Sequence, residues 1–318
     1  MELNLINFHT RFPDEEACYQ YLIQKRWPEG LACLACGSIE VYTCKTRRLF
    51  KCADCSKIFS PTVGSIFQDT HLPLRKWLMA IYLKTTDNIS DLKLAQKLGV
   101  SRKTGQHLAH RIEHAMAQGD LLLTKRTQVD EMYHGAKAKG RSSARYGNKW
   151  GIMGAVEEGK DGQLALEVVK QPDSTVVRDF FDAHIAPNAQ IVTDESRIYN
   201  TIRHRYQHDT VNHSQRQYVV AGATTNAIEN VWHHVRRMVR VHIHLSGKHL
   251  STRLGGFQFR YNTRNLTDGL KFERWFGQAW GKTYPYKQMV AKQAVQPLAL
   301  RGWARKRAMM PVQTSFAF

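Results

Sequence analysis

Three acidic side chains stand where the local sequence pattern could bring them to one place. Asp130 lies in a strand-like run at 127–133, and Asp194 directly follows a short apolar strand at 191–193. Glu229 lies near the start of a predicted helix. Carboxylates at strand ends project from the edge of a sheet, and a carboxylate on a helix can reach the same place. Three such groups could hold two Mg²⁺ or Mn²⁺ ions ~4 Å apart, the arrangement that promotes in-line displacement at a phosphate ester.

Each aspartate has an acidic neighbour, Glu131 in the first pair and Glu195 in the second. Because successive side chains along a strand point to opposite faces, Asp130 and Glu131 cannot both face the same ions. For Asp194, which stands just past the end of its strand, this alternation is a weaker guide. We assign the aspartate of each pair, and not its glutamate, to the predicted site.

The helix that carries Glu229 has two different faces. Its apolar stripe consists of Ile228, Val231, Trp232, Val235 and Val239. Its polar stripe consists of Glu229, His233, Arg236 and Arg240. One edge of the helix is therefore buried, while the neighbouring edge offers an acid and two arginines to a phosphate. An acid on a surface helix is common. Glu229 becomes a candidate ligand because it follows two strand acids in this order.

The cysteines form a second group with the spacing of metal ligands. Two C-x-x-C pairs, Cys33 with Cys36 and Cys52 with Cys55, are separated by a gap that is typical of four-cysteine zinc sites. Four thiolates complete a tetrahedron around Zn²⁺ and leave no position open for water, so the predicted zinc is structural. The remaining two cysteines, Cys18 and Cys44, have no partner at this spacing, and we interpret them as ordinary thiols.

The segment at 45–51, between the two cysteine pairs, alternates basic with apolar residues near its end. This alternation favours a strand of a zinc ribbon whose basic face could contact phosphates. A solvated, charged hairpin explains the same pattern equally well.

Two helices separated by a tight turn are predicted after the ribbon. The first covers 90–98, Gly99 makes the turn, and Ser101 can cap a second helix at 102–116. Polar and basic side chains are expected on the outer face of the second helix, namely Arg102, Lys103, Gln106, His107, His110 and Arg111. This is the pattern of a helix-turn-helix, and we expect DNA contacts from Arg102, Lys103, Gln106 and Arg111. Gly105 argues against it, because a glycine inside a helix costs about 1 kcal/mol; the alternative is a plain helical hairpin that links two domains.

The elements around the three acids indicate a mixed α/β domain. Alternating and apolar runs predict strands at 127–133, 149–156, 164–169 and 190–193. Helical periodicity predicts helices within 13–30 and 73–117, and at 174–185, 226–240 and 248–264.

The charge of the chain points to a polyanionic partner. Its 46 lysines and arginines exceed its 27 acidic residues, which gives a net charge of +19. Such an excess usually means nucleic acid, although an over-charged surface is the simpler alternative. Residues 285–318 contain no acid and are interpreted as a basic tail. Neither a signal peptide nor an apolar run long enough for a membrane is visible, so we expect a cytoplasmic protein.

The motifs together resemble the DDE-type transposases of bacterial insertion sequences, and more narrowly the group with an N-terminal zinc ribbon. The resemblance covers residues 10–265 and is carried by Arg26-Trp27-Pro28, Val129-Asp130-Glu131-x-Tyr133, Thr193-Asp194-Glu195-Ser196, Val211-Asn212-His213-Ser214 and Thr225-Asn226-x-Ile228-Glu229-x-x-Trp232. It implies an RNase H-like catalytic domain with Asp130, Asp194 and Glu229 as metal ligands. It also implies a basic residue seven positions after the third acid. That residue is a lysine in many members and Arg236 here, and arginine can grip a phosphate bidentately. A histidine that many members carry before the Thr-Asn pair is absent here, so no role is assigned to one.

This combination predicts four parts and a function. The parts are a lead-in helix with a zinc ribbon at 1–60, a helix-turn-helix at 70–118, an RNase H-like domain at 124–275 and the basic tail at 285–318. We expect a transposase that cuts double-stranded DNA at element ends and joins the ends to a target, acts as a homo-oligomer on DNA and associates with the bacterial nucleoid. The alternatives are a zinc-containing DNA-binding regulator with an inactive domain, and a nuclease or resolvase that cuts without joining.

Overall fold

The computed structural model describes residues 2–44, 48–117, 121–135, 149–211, 225–242, 245, 247–285, 287 and 289. The chain forms two compact units. The first unit joins Met1–Ala117 to Thr263–Val290, and the second unit is built on Gln118–Asn262. Several sequence predictions fall outside the described residues: part of the ribbon strand at 45–47, the motif residues 212–214 and nearly all of the basic tail.

The helices and strands follow the predicted order closely. In chain order they are α1 (Phe8–Arg11), α2 (Glu15–Arg26), β1 (Val41–Cys44), β2 (Leu49–Cys52), β3 (Ile58–Phe59), α3 (Leu74–Thr86), α4 (Asp91–Leu98), α5 (Arg102–Met116), β4 (Thr127–His134), β5 (Trp150–Glu157), β6 (Leu164–Val169), α6 (Ser174–His184), β7 (Gln190–Asp194), a 3-10 helix (Arg197–Ile202), β8 (Gln207–Val211), α7 (Asn226–Val241), α8 (Gly247–Asn262) and α9 (Asp268–Ala279). Among the described helices, none combines the length and the apolar character that crossing a bilayer would require.

Local capping explains where the two helices of the predicted helix-turn-helix begin and end. The Ser90 side chain accepts the Lys93 N–H at the start of α4, and Ser101 accepts the Thr104 N–H at the start of α5. Between them Gly99 adopts a left-handed conformation with φ of 58°, which glycine adopts without steric cost. Both helices and their turn therefore lie where the sequence predicted them.

Gly105 explains how closely α4 and α5 cross. A Cβ atom at this position would lie 2.6 Å from the Ala95 Cβ and 3.0 Å from the Asp91 carbonyl oxygen. The absent side chain thus lets the two backbones approach each other. Gly105, which the sequence analysis set against the helix-turn-helix interpretation, is the residue that allows the close crossing of these two helices.

One prediction about α5 is wrong. His110 and Arg111 were expected on its outer face, but both are buried. The Arg111 guanidinium donates a 2.8 Å hydrogen bond to the Gln68 carbonyl and lies 5.5 Å from the centre of the Trp77 ring. Because α5 packs against α3 and α9 as well as α4, its buried surface is wider than the single stripe that periodicity predicts. Arg111 is therefore part of the core and not a DNA contact.

Helix α9 completes the core of the first unit. Its Trp275 is fully buried and donates its indole N–H to the Ile112 carbonyl on α5. A buried ion pair, Lys84 with Glu113 at 2.6 Å, joins α3 to the same helix. The predicted catalytic domain extended to residue 275, whereas α9 packs in the first unit with the N-terminal helices.

The second unit contains a five-stranded mixed sheet with the order β6-β5-β4-β7-β8. β4, β5 and β6 pair antiparallel, while β7 and β8 continue the sheet parallel to β4 on its other side. This arrangement, with the first strand in the centre, is that of the RNase H-like fold. At the β6 edge, the side chains of Gln258 and Asn262 from α8 pair with the Leu166 and Leu164 backbone and cover it.

The sheet is buried on both faces. One face packs against α6 and the 3-10 helix, with Val129 of β4 in that core. The other face packs against α7 and α8, with Met132 of β4 in that core. Odd-numbered and even-numbered side chains of β4 therefore enter different environments.

Replacing Gly105 with alanine tests the helix crossing. We expect Gly105→Ala to destabilise the first unit by about 1–3 kcal/mol, because the new methyl group overpacks the contact with Ala95. Gly277→Ala on α9 is the matched control, since a Cβ there has no neighbour within 4 Å; it should stabilise by about 0.5–1 kcal/mol. Thermal unfolding measures both changes, and equal upward shifts would contradict the close crossing.

Candidate metal centres and nucleic-acid interface

The pairing of β4 with β7 places two of the predicted acids side by side. The two strands run parallel, with Gln128 paired to Val192. Asp130 and Asp194 each stand two residues beyond this pair, so they share its face of the sheet. Both side chains are half-buried. The two aspartates thus lie on the same face of neighbouring strands, Asp130 within β4 and Asp194 at the carboxyl end of β7.

The neighbouring glutamate of β4 points the other way. The Asp130 Oδ2 accepts a 2.7 Å hydrogen bond from the Trp232 indole N–H of α7. The Glu131 Oε2 accepts a 2.7 Å hydrogen bond from the hydroxyl of Tyr199, which belongs to the core on the opposite face. The geometry therefore separates the two acids as strand alternation predicts.

Glu229 lies in the first turn of α7 and is exposed. The Thr225 hydroxyl donates a 2.9 Å hydrogen bond to its Oε1. The start of this helix is held against the sheet by Gln128, whose Oε1 accepts the backbone N–H groups of Ala227 and Ile228 at 2.9 and 3.1 Å. Glu229 is thereby tied to the strand that carries Asp130.

The electrostatics of this region favour a cation. Burial raises the pKa of the Asp130 carboxyl, hydrogen bonds from Trp232 and the Glu131 backbone partly oppose this, and the charges of Asp194 and Glu229 raise the pKa further. Burial also raises the pKa of Glu131 to about 7. The raised pKa of Asp130 shows that burial and the neighbouring acids destabilise its charged form, and the shift of Glu131 arises from burial on the opposite face. Divalent cations would relieve both the repulsion and the lost hydration.

The three acids are spread more widely than the ligands of a single ion. Within the part of the chain that the structure describes, the four cysteines are the one group of three or more Cys, His, Asp or Glu side chains whose ligand atoms all lie within 4.8 Å of one another.

The exposed face of α7 beyond Glu229 is basic. Its exposed side chains include His233, His234, Arg236, Arg237 and Arg240. The sequence singled out His233, Arg236 and Arg240 and missed the two neighbours. This basic surface begins one turn after Glu229. A DNA backbone with one phosphate bound near the acids would extend across it.

The four cysteine sulfurs have the geometry of a tetrahedral zinc site. Sγ of Cys33 lies 3.6 Å from Sγ of Cys55, and Sγ of Cys36 lies 3.6 Å from Sγ of Cys52. A tetrahedron with Zn–S bonds of ~2.3 Å has edges of about 3.8 Å. The donor set therefore fits Zn²⁺. The Ala35 N–H, 3.4 Å from the Cys33 sulfur, and the Cys36 N–H lower the pKa of Cys33 to about 6. The hydrogen bond from the Ser38 backbone lowers the pKa of Cys36, but the Cys55 and Cys52 sulfurs outweigh it, so that this pKa is raised. Zinc binds all four sulfurs as thiolates.

The helix preceding the ribbon explains the Arg26-Trp27 motif. The Trp27 ring packs edge-on against Phe50 of β2, under the ribbon. The Arg26 guanidinium lies over the rings of both Trp27 and Trp280, 5.1 and 5.3 Å from their centres. This stack joins the ribbon to the end of α9.

Three of the four predicted DNA contacts on α5 are on the surface. Arg102, Lys103 and Gln106 are exposed in its first turns, next to the left-handed turn at Gly99. They remain candidates for contact with a polyanion, whereas Arg111 does not.

Metal analysis tests the cysteine site. The purified protein should contain about one zinc per chain, and Cys36→Ser or Cys52→Ser should remove it, because each deletes one of four ligands. Cys18→Ser and Cys44→Ser are the matched controls and should keep their zinc, since neither residue belongs to the cluster. Native folding with no bound zinc would contradict the assignment.

Comparisons with known proteins agree with this geometry. A family model described as an ISXO2-like transposase domain matches residues 122–262, and a second, described as a transposase zinc-ribbon domain, matches residues 13–58. An uncharacterized protein in transposable element ISH50 of Halobacterium salinarum is 25% identical over 268 residues, which cover 78% of this chain and 91% of that protein. The chain is thus similar to insertion-sequence transposases in two parts, a zinc ribbon and a DDE domain.

Proposed function

We propose that this chain is a transposase that cuts DNA at the ends of its element and joins them to a target at a site formed by Asp130, Asp194 and Glu229. One observation carries the proposal. The β4–β7 register brings the two aspartates together, and the α7 helix that carries Glu229 is bonded to the same strand at Gln128 and Asp130. Three carboxylates on three elements are thereby directed to one region.

The chemistry follows from the charge and placement of these groups. Two divalent ions, when bound, would supply an activated water or 3′-hydroxyl and stabilise the leaving oxygen. Asp130 and Asp194 offer hard oxygen ligands from a rigid sheet, and Glu229 offers a third from α7. Arg236, two turns along α7, is placed to hold a DNA phosphate near the acids.

Binding of double-stranded DNA is assigned to two basic surfaces. Arg102, Lys103 and Gln106 form the first on α5, and Arg236 and Arg240 form the second on α7. Because joining requires two element ends to be held at once, we propose that at least two copies of the chain assemble on DNA. A zinc ion held by the four cysteines would have no open coordination position and would keep the ribbon folded.

Substituting the acids tests the proposed chemistry. Asp130→Asn, Asp194→Asn and Glu229→Gln keep side-chain size but remove charges that the two ions require. Each should abolish Mg²⁺-dependent cleavage and joining of DNA from the flanks of the element, while DNA binding and zinc content persist. Glu131→Gln and Glu195→Gln are the matched controls and should keep substantial activity.

The same assay separates the alternatives. Normal nicking by Asp130→Asn would refute the metal site. A wild-type protein that binds DNA without cutting it would be the zinc-containing regulator. Cleavage without strand-transfer products would indicate a nuclease or resolvase.

The salt dependence of binding tests the α5 surface. Replacing Arg102 and Lys103 with alanine should weaken DNA binding and reduce the slope of log K against log salt by about one per lost phosphate contact. Lys170→Ala with Arg178→Ala removes two exposed charges from the second unit near α6 and should leave the slope unchanged. Equal slopes for both double variants would assign binding to another surface.

A further inference from the structure

A missing side chain on β5 makes room for a tryptophan of α7. Gly154 is the cross-strand partner of Asp130. A Cβ atom at Gly154 would lie 2.4 Å from the Cη2 atom of Trp232, and 2.9 Å from its Cζ2. The indole therefore rests directly on the β5 backbone, beside Asp130.

The seated indole has one apolar and one polar contact. Trp232 is 3% exposed and packs in the core between the sheet and α7. Its only polar atom, Nε1, donates to the Asp130 Oδ2 at 2.7 Å. The ring thus fixes the orientation of the carboxylate through a hydrogen bond whose donor cannot move without disturbing the core.

A second bond ties the beginning of the same helix to the same strand. Gln128 is 2% exposed and stands two residues before Asp130, on the same face of β4. Its Oε1 accepts the N–H groups of Ala227 and Ile228, which have no partner inside the helix. Its Nε2 donates to Glu158 at 2.9 Å, which fixes which end of the amide faces the helix.

Glu229 lies between the two attachments along the helix. The first is at Ala227 and Ile228, and the second is at Trp232, three residues after Glu229. We propose that Gln128 and Trp232 are positioning residues that hold Glu229 near Asp130. Gly154 provides the space that the Trp232 ring needs for this. This inference rests on the proposed function, because it explains how the acids of the proposed metal site are held in position.

A purely structural role makes a different prediction. If Trp232 only filled the core, replacing it with phenylalanine would lower stability and leave metal binding unaltered. As a positioning residue, it should change metal affinity even where the fold remains intact. Loss of an outer hydrogen bond to a metal ligand typically weakens metal binding about 10- to 100-fold.

The test is a titration of the zinc-loaded, full-length protein with Mn²⁺ alone, followed by electron paramagnetic resonance. Trp232→Phe keeps an aromatic ring over Gly154 but removes the N–H, and we expect its Mn²⁺ dissociation constant to rise at least about 10-fold. Nicking by this variant should recover as Mg²⁺ is raised. Trp275→Phe is the matched control, because it removes a buried indole N–H bond in the first unit and should not change Mn²⁺ affinity.

Two further variants keep the inference testable if Trp232→Phe does not fold. Gly154→Ala displaces the ring, and Gln128→Met removes the acceptor at the start of α7. Both should weaken Mn²⁺ binding in the same direction. Unchanged Mn²⁺ affinity in the folded variants, with binding still lost in Asp130→Asn, would overturn the positioning role alone. No Mn²⁺ binding by the wild-type protein would overturn the proposed metal site as well.

Discussion

The burial of the Asp130 carboxylate on the central strand is the constraint on which the proposed site in the second unit depends. Acids that carry like charge in poorly solvated surroundings move apart unless the backbone prevents it. β4 is the central strand of the sheet and is packed on both faces, so Asp130 cannot retreat from Asp194. α7 is held to this strand by bonds that end on Gln128 and on Asp130 itself. The proposed cation site is therefore carried by elements whose positions are set by their other contacts.

The first unit is under a different constraint, because its ribbon is too small to be stable by itself. The buried core of the ribbon consists of Cys33, Phe50, Cys52 and Phe59. Such a core buries little apolar surface, and a small domain of this kind depends on a metal or on packing against its surroundings. The four cysteines would bind the metal, while Trp27 and the stacked Arg26 supply the packing. Metal binding and packing against α9 thus support the same few strands.

Local patterns in the sequence were sufficient to predict most elements. Periodicity predicted β6 with the bounds observed, and the caps Ser90 and Ser101 placed both helices of the helix-turn-helix. The cysteine spacing predicted the cluster, because two C-x-x-C turns are a local feature. Strand alternation separated Asp130 from Glu131.

Features that depend on tertiary contacts were not predicted from the sequence. Arg111 was placed outside because a helix with three packing partners does not show one stripe. β8 was missed because its sequence, from Gln207 to Val211, is mostly polar and carries no strong strand pattern. The buried pair of Lys84 and Glu113 was invisible, since each residue alone is typical of a surface. Gln128 carried a signal for its role, because it is a polar residue two positions before an acid and therefore on the same face of the strand.

The position of α9 has a consequence for the way the protein is made. The first unit consists of two stretches of chain, and all of Gln118–Asn262 lies between them. At about 5–20 residues per second, a ribosome needs roughly 7–30 s to synthesise this interval. Throughout that time Tyr21 of α2, Tyr82 of α3 and Ile112 of α5 lack their partners Phe276, Phe272 and Trp275. The second unit can thus fold on the ribosome before the first is complete, which reverses the usual N-terminal-first order.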